Sequence, residues 1–331
     1  MMKLAIVILN YNGKALLERF LPSVIAFSKD ASIYIADNGS DDNSAAFIKR
    51  KFPQIKILEF SKNYGYAKGY NEAVKKIEAD VFCFLNSDVR VTKNWLLPVI
   101  QAFERNKNTG IIQPKILDEK NPEKFEYAGA AGGFIDQLGY PYCRGRIFET
   151  IEEDKAQYDG TAPIFWASGA CFFIRSILFK QLNGFDGNFF AHMEEIDLCW
   201  RAKNQKHSIL YVGHSTVFHL GGASLKPGPK KTFLNFRNSL LTLTKNSKHP
   251  LVLVVLLRLI LDGFAAVKFF LDGKFQLVLA IIKAHFSYYK LLPYALSYRK
   301  AHKRLKYSGV KSIVFKYYVL KIKTFKKLNT Q

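Results

Sequence analysis

The run Val81-Phe82-Cys83-Phe84-Leu85, followed at once by Asn86-Ser87-Asp88, decides how the rest of the chain is read. Five apolar residues in succession, β-branched and aromatic among them, suit a strand buried on both faces, and such a strand needs helices above and below it. Three short polar residues then mark the point where the chain leaves the core. The same grammar recurs on the N-terminal side. Leu4 to Leu9, Ile33 to Ala36 and Ile55 to Phe60 are apolar runs, and Ile111 to Gln113 is another beyond it. Segments of helical spacing lie between them, at 14–27, 43–51, 67–78 and 93–105. In the first, Leu16, Leu17, Phe20, Leu21 and Val24 recur at three- and four-residue steps. This alternation predicts an α/β fold: a mainly parallel sheet with helices on both faces.

In such sheets ligands bind beyond the carboxyl ends of the strands. The first strand runs into Asn10-Tyr11-Asn12-Gly13 and the second into Asp37-Asn38-Gly39-Ser40-Asp41-Asp42. The third is followed by Ser61-Lys62-Asn63-Tyr64-Gly65-Tyr66-Ala67, the fourth by Asn86-Ser87-Asp88. Each alone has the composition of an ordinary turn. Four on one predicted edge point to a site. A carboxylate at the end of a buried strand is a hard oxygen ligand for Mg²⁺ or Mn²⁺, ions that use few protein carboxylates and complete their shell with substrate phosphates. A helix cap or turn before Thr92 is the simpler account of that triplet.

Further on, residues 117–165 lack a period and are rich in Gly, Tyr and charge, which reads as a long functional loop or insertion where an acceptor is recognised. Regular structure resumes at Ile164 to Arg175, with a helix near 190–204, a strand near Ser208 to Val212 and a helix from Lys231 to Lys245. Glu194-Glu195-Ile196-Asp197 gathers three carboxylates beside Phe189 and Phe190. Repulsion and desolvation raise carboxyl pKa values there, as a general base requires. An acidic first helical turn, paired with Arg201 one face-step away, would explain the same residues. In His219-Leu220-Gly221-Gly222-Ala223-Ser224 the glycines permit close backbone approach to a ligand, and the imidazole can ligate a metal or phosphate.

With 49% hydrophobic and 15% aromatic residues in 331, the chain can bury a large core, so disorder is excluded. Cys83, Cys143, Cys171 and Cys199 form no close pair, which favours free thiols in a reducing compartment over disulfides or zinc. The apolar run after Met1-Met2-Lys3 is too short for a signal-peptide core, so a cytoplasmic catalytic part is expected. The net charge is +22, and residues 250–331 hold 16 Lys/Arg against Asp262 and Asp272, which leaves +14 there. Leu251 to Leu271 is apolar but carries Arg258, Asp262 and Lys268 near its middle. That predicts helices lying in the interface of an anionic membrane rather than crossing it. Tyr288, Tyr289, Tyr294 and Tyr298 suit headgroup depth, and the aliphatic bulk argues against nucleic acid as a partner. A helical packing or oligomerisation domain with a solvated basic face is the alternative. The expected division is 1–248 for the catalytic domain and 249–331 for the basic helical region.

In order and spacing, Asp37-Asn38-Gly39-Ser40, Asn63 to Asn71, Leu85-Asn86-Ser87-Asp88, Gly169-Ala170, Gly184-Phe185-Asp186, Glu194-Glu195-Ile196-Asp197 and His219 to Gly222 resemble family 2 glycosyltransferases, in particular their rhamnosyltransferase-like branch, over roughly residues 3–245. The resemblance implies a Rossmann-like GT-A fold and inverting, metal-dependent transfer from a nucleotide-diphosphate sugar to a glycan or lipid-linked acceptor in cell-surface polysaccharide synthesis. The donor would meet Asn10, Asn12, Asp37, Asn38, Asn63, Gly65, Asn71, Asn86 and Ser87. Asp88 would hold Mg²⁺ or Mn²⁺ with His219 and, more weakly, Asn86, because Asn replaces the first Asp of the family's Asp-x-Asp motif. Trp166, Gly169, Ala170 and Glu194 would lie on the acceptor side. Glu195 stands where the family has an Asp base, with Glu194 and Asp197 in reserve. The enzyme would sit peripherally on the cytoplasmic face of the membrane. Two other classes share part of this pattern. Nucleotidyl transfer would need a Gly-rich, Lys/Arg-bearing N-terminal signature that Asn10-Tyr11-Asn12-Gly13 does not supply; the other is a sugar-nucleotide-binding scaffold without turnover.

Overall fold

A computed structural model of the chain describes residues 2–222 and 228–329; Ala223 and Ser224, part of the motif after His219, lie outside the described residues. The N-terminal half alternates β1 (Leu4–Asn10), α1 (Lys14–Phe27), β2 (Ala31–Asp37), α2 (Ser44–Lys51), β3 (Lys56–Glu59), α3 (Gly65–Val74) and β4 (Val81–Asn86). β4 has β1 beside it, then β2 and β3, all parallel. Val81 to Leu85 are each 0% exposed, so the apolar run is buried on both faces as its composition demands. β5 (Val89–Val91), α4 (Leu96–Arg105) and β6 (Thr109–Asp118) follow. β5 has only three residues, too few for a period, and the sequence does not announce it.

Residues 117–165, expected as a long functional loop or insertion, are mostly turns and irregular chain, but they carry short strands. β6 runs on to Asp118, and β7 (Gly133–Ile135), β8 (Pro141–Cys143), β9 (Arg146–Ile147) and β10 (Thr150–Ile151) form a separate antiparallel four-stranded sheet. Strands of two or three residues cannot show alternation, which is why the segment reads as aperiodic. β11 (Thr161–Pro163), β12 (Cys171–Arg175), α5 (Ser176–Gln181), α6 (Glu194–Asn204) and β13 (Ser208–His219) complete the main sheet, in the order β11-β13-β6-β12-β4-β1-β2-β3, with β5 on β13. β12 is antiparallel to β4, pairing Cys171 with Leu85, so the residues before β12 arrive at the edge where β4 ends. β13 is parallel to β6 and brings His219 to that edge as well.

The C-terminal part adds α7 (Pro229–Asn246), α8 (Leu251–Leu271), α9 (Phe275–Ala301), α10 (Ile313–Tyr318) and α11 (Phe325–Asn329). The boundary expected after 248 falls between α7 and α8, and one apolar core runs across it, from Phe84 and Trp200 to Val254, Tyr288 and Ala295. The last segment folds back onto the small sheet, where Ile313, Tyr317 and Phe325 pack with Tyr142 and Ile147. Among the described residues no helix is long and apolar enough to cross a membrane.

Candidate active site

The strand ends converge on a cavity of about 560 Å³, a size that takes a small organic ligand. Asn12, Asn38, Asn63, Gly65, Asn86 and Ser87 line it on the side of β1, β2 and β4, and Asp88 and His219 lie at its base. Gly169, Ala170, Glu194 and Glu195 line it too, with the Ala170 carbonyl accepting from the Asn86 amide at 2.9 Å. Asn10, Asp37, Asn71 and Trp166 do not line it. Asn10 is wholly buried and donates to Asp37 Oδ1 at 2.8 Å and to Ser44 Oγ at 2.8 Å, while Ser40 donates from both backbone and hydroxyl to Asp37. These four side chains lock the turn after β2. Asn71 hooks Phe185 through both backbone groups, at 2.8 and 2.9 Å. Trp166 donates Nε1 to the Phe134 carbonyl at 2.7 Å and packs over Gly133.

Two loops shape one wall of the cavity. Asn38 donates to Asn63 Oδ1 and accepts from the Tyr64 amide, each at 3.0 Å, which staples the loop after β3 to the end of β2. Gly65 has φ +78°, and a Cβ there would lie 2.6 Å from the Phe190 ring. No other residue type fits both conditions. The loop before α6 is unusual: Phe190, His192 and Met193 all have φ between 64° and 72°, a conformation that side chains disfavour. Asn238 of α7 holds it by donating to the Phe189, Ala191 and His192 carbonyls at 3.0, 2.9 and 2.8 Å. Asn238→Ala would free the loop, and a loss of about 2–3 kcal/mol in stability by chemical unfolding is expected, together with reduced transfer activity.

Glu194 and Glu195 open α6, so the helix dipole favours their charged forms. Burial opposes this and wins, raising Glu195 to about 7 and Glu194 well above its ordinary range. Each has one carboxylate oxygen cut off from solvent and, among the described residues, without a hydrogen-bond partner. Asp197 differs. It is fully buried and bound by Arg201 at 2.7 Å, Lys245 at 3.0 Å and Asn246 at 2.8 Å, so its oxygens are committed to joining α6 to α7.

Asp88 is 1% exposed, and among the described residues its Oδ2 has no hydrogen-bond partner. His219 Nε2 lies 3.2 Å from Oδ1, and His219 Nδ1 lies 3.3 Å from Glu126 Oε1. Burial disfavours imidazolium, yet Glu126 and Asp88 together push His219 up to about 10. Glu126 was not legible in the sequence. It is one acid in an aperiodic stretch, delivered to the site by the turn after β6, where Glu126 and Ile116 share a backbone hydrogen bond. Tyr127, His192 and Lys231 also line the cavity without having been singled out. A buried carboxylate that lines a cavity and shares only one oxygen with an imidazole suits a divalent ion. Among the described residues, however, no three His, Cys, Asp or Glu side chains form a ready-made cage. His219 is held by two acids, and Asn86 contributes a neutral oxygen at most. Such a site fits an ion that draws most of its ligands from a bound phosphate.

The glycosyl transferase family 2 model matches residues 5–182, more than half of the chain, and the chain belongs to that family. An N-acetylglucosaminyl-diphospho-decaprenol L-rhamnosyltransferase of Mycobacterium tuberculosis is 27% identical over 235 residues, covering 65% of this chain and 75% of that protein. Among solved structures, GalNAc-T7 with UDP, GalNAc and Mn²⁺ superposes with a TM-score of 0.58 at 16% identity, over 75% of this chain and 49% of that one. The mannosyltransferase PcManGT of Pyrobaculum calidifontis, in complex with GDP-Man and Mn²⁺, gives 0.52 at 11% identity, over 91% and 73%. The fold is GT-A and the protein is a glycosyltransferase.

Proposed function

We propose that this family 2 glycosyltransferase inverts the anomeric carbon as it moves a sugar from a nucleotide-diphosphate donor to a hydroxyl of a lipid-linked or glycan acceptor in cell-surface polysaccharide synthesis. One observation carries the reading. Asp88 and Glu195 line the same cavity, and Glu195 is raised to about 7. The nature of the acceptor is supported by the name of the mycobacterial relative, whose acceptor is a polyprenyl diphosphate sugar.

Asn12, Asn38, Asn63, Gly65, Asn86 and Ser87 bind the donor in this reading, while Asn10, Asp37 and Asn71 position the loops that carry them. The bond from the anomeric carbon to phosphate oxygen breaks through an oxocarbenium-like transition state, and its electron pair leaves with the diphosphate. The acceptor oxygen attacks the opposite face. Glu195 takes its proton in the same step, as a base whose pKa lies near the working pH should. One base suffices, because the diphosphate leaves unprotonated. Asp88, with Asn86 and with His219 once it has given up its proton, would hold Mg²⁺ or Mn²⁺, which when bound supplies Lewis-acid neutralisation of the leaving charge. Gly169, Ala170 and Glu194 face the acceptor, and Trp166 braces the backbone behind them. The enzyme works peripherally at the cytoplasmic face of an anionic membrane, where a lipid-linked acceptor resides.

Nucleotide release in a donor screen with Mg²⁺ or Mn²⁺ present tests the reading. Asp88→Ala is expected to weaken metal-dependent donor binding by at least about tenfold, measured by titration with and without the ion. Transfer at the parent rate by both Asp88→Ala and Glu195→Gln would sink the assignment.

A further inference from the structure

Helices α8 and α9 are polar inside and apolar outside. Arg258 and Asp262, in the middle of α8, are 4% and 0% exposed and face the catalytic body. Arg258 pairs with Asp262 at 2.9 Å, donates to Ser239 Oγ of α7 at 2.7 Å and lies 3.8 Å above the Tyr140 ring. His285 of α9 is 3.2 Å from the second Asp262 oxygen. On the outward face of α8, Leu253, Leu257, Ile260, Phe264, Val267 and Leu271 recur at steps of four and three, between 41% and 78% exposed. Leu279, Ile282, Phe286 and Tyr289 form a like stripe on α9, bordered by exposed Lys283 and Lys290. A helix on a water-facing surface has the reverse arrangement. Scattered exposed apolar residues are ordinary; two neighbouring stripes of them mark a docking face.

We infer that the outward faces of α8 and α9 dock flat into the headgroup–acyl boundary of an anionic bilayer, and that this sets the Tyr127 side of the cavity against the lipid surface. The sequence pattern alone suggested basic amphipathic helices; the fold instead hides the central charges and leaves hydrocarbon outward. Crossing the bilayer would tear Arg258 and Asp262 from Ser239, Tyr140 and His285 into lipid, whereas lying flat leaves them in place. The surplus of 16 Lys/Arg over Asp262 and Asp272 across residues 250–331 complements anionic headgroups. The same surplus on a second copy would oppose pairing of these faces.

Exposed apolar residues also lie at the cavity, where Tyr127 and Ile151 are 48% and 38% exposed. Tyr318 at the end of α10 and Val319 and Leu320 after it are 51%, 60% and 50% exposed. The small sheet links α8 to the cavity: Tyr140, just before β8, lies under Arg258 of α8 at 3.8 Å, Phe148 packs on Tyr318 with ring centroids 5.3 Å apart, and Ile151 of β10 lines the cavity with Tyr127. A lipid-borne acceptor would thus arrive from the membrane side. That last step rests on the proposed acceptor, whereas the docking does not.

Flotation of the full chain on phosphatidylcholine–phosphatidylglycerol vesicles tests the docking. Leu257→Glu/Phe264→Glu is expected to weaken partition about a hundredfold, one tenfold step for each side chain lost from the lipid, with thermal unfolding and donor binding unchanged. Phe286→Glu repeats the test on α9, and omitting phosphatidylglycerol should also weaken partition. Tyr127→Trp in vesicles containing brominated lipid should show quenching of the added fluorescence. Undiminished flotation of the glutamate variants overturns the inference. So does dimerisation in lipid-free buffer that the double variant abolishes, because the face would then belong to a second copy. An unquenched Trp at 127 overturns the orientation. None of these readouts involves sugar transfer, so they fail independently of the enzymatic reading.

Discussion

Glu195→Gln is expected to lower the transfer rate by about a hundred- to ten-thousandfold while leaving donor affinity close to that of the parent, since a general base acts only in the transition state. Single-turnover transfer and a donor titration, side by side, separate the two effects. In the parent, the rate should rise with pH through about 7, because only the deprotonated carboxylate accepts the hydroxyl proton and burial raises that carboxyl to about 7. The same shift has a stability consequence. Folding raises this carboxyl from 4.5, so the folded state binds the proton more tightly. The associated stabilisation is complete below about 4.5 and disappears as pH rises through 7. Glutamine never carries the buried charge. The variant should therefore be the more stable protein at pH 8, by on the order of 1–3 kcal/mol, and the two should converge at pH 4 in thermal unfolding. A variant as active as the parent would move the base to Glu194, which is deeper in the same turn. Asp197, the other reserve, is committed to Arg201, Lys245 and Asn246.

Lys245→Met should destabilise the protein by about 3–5 kcal/mol, the usual result of stripping one partner from a buried ion cluster. Lys245 is 1% exposed and bridges Asp186 at 2.6 Å and Asp197 at 3.0 Å. Arg201 then serves Asp197 alone, while it also donates to the Leu182 and Gly184 carbonyls at 2.6 and 2.9 Å. Without the ammonium, Asp186 keeps Tyr294 at 2.8 Å and the Asn188 amide at 3.0 Å but carries an uncompensated charge. Burial alone would raise Asp186, and Lys245 is what holds it below its ordinary range. Its contribution is therefore present above about pH 4 and is lost as pH falls through the lowered value. Acid unfolding monitored by circular dichroism should show a midpoint at higher pH in the variant. An unchanged midpoint and unchanged denaturant stability would mean that the network does not join α6 to α7 energetically. Replacing Lys245 by Arg, which keeps the charge, should recover part of the loss.

Much of the framework was legible because its elements are long enough to carry a period. α1 occupies Lys14–Phe27, where Leu17, Phe20, Leu21 and Val24 recur, and β4 follows the apolar run Val81 to Leu85. The polar ends of β1, β2 and β4 could be placed on one edge because a parallel sheet has only one carboxyl edge. Where the notation of apolar and polar residues carries no period, sequence reasoning stopped. The small sheet β7–β10 consists of two- and three-residue strands too short to carry a period, and Glu126 reaches the site only because its backbone is bonded to Ile116 of β6. Asn238 is an ordinary polar residue on a helix until three carbonyls of the loop before α6 converge on it.

The triplet Asn86-Ser87-Asp88 after its buried strand was enough to set the fold class, and its order with Asp37, Glu195 and His219 enough to suggest the chemistry. Local pattern carries this information because burial and strand direction are properties of contiguous residues. The tertiary structure alone decided which of those residues face the cavity: Asp88, Asn86 and Glu195 do, whereas Asn10 and Asp37 bind one another behind it. It also decided the direction of the charges in α8. Arg258 and Asp262 read as marks of a solvated face, yet Ser239, Tyr140 and His285 draw them inward. A helix has two sides, and which one meets water depends on partners more than a hundred residues away.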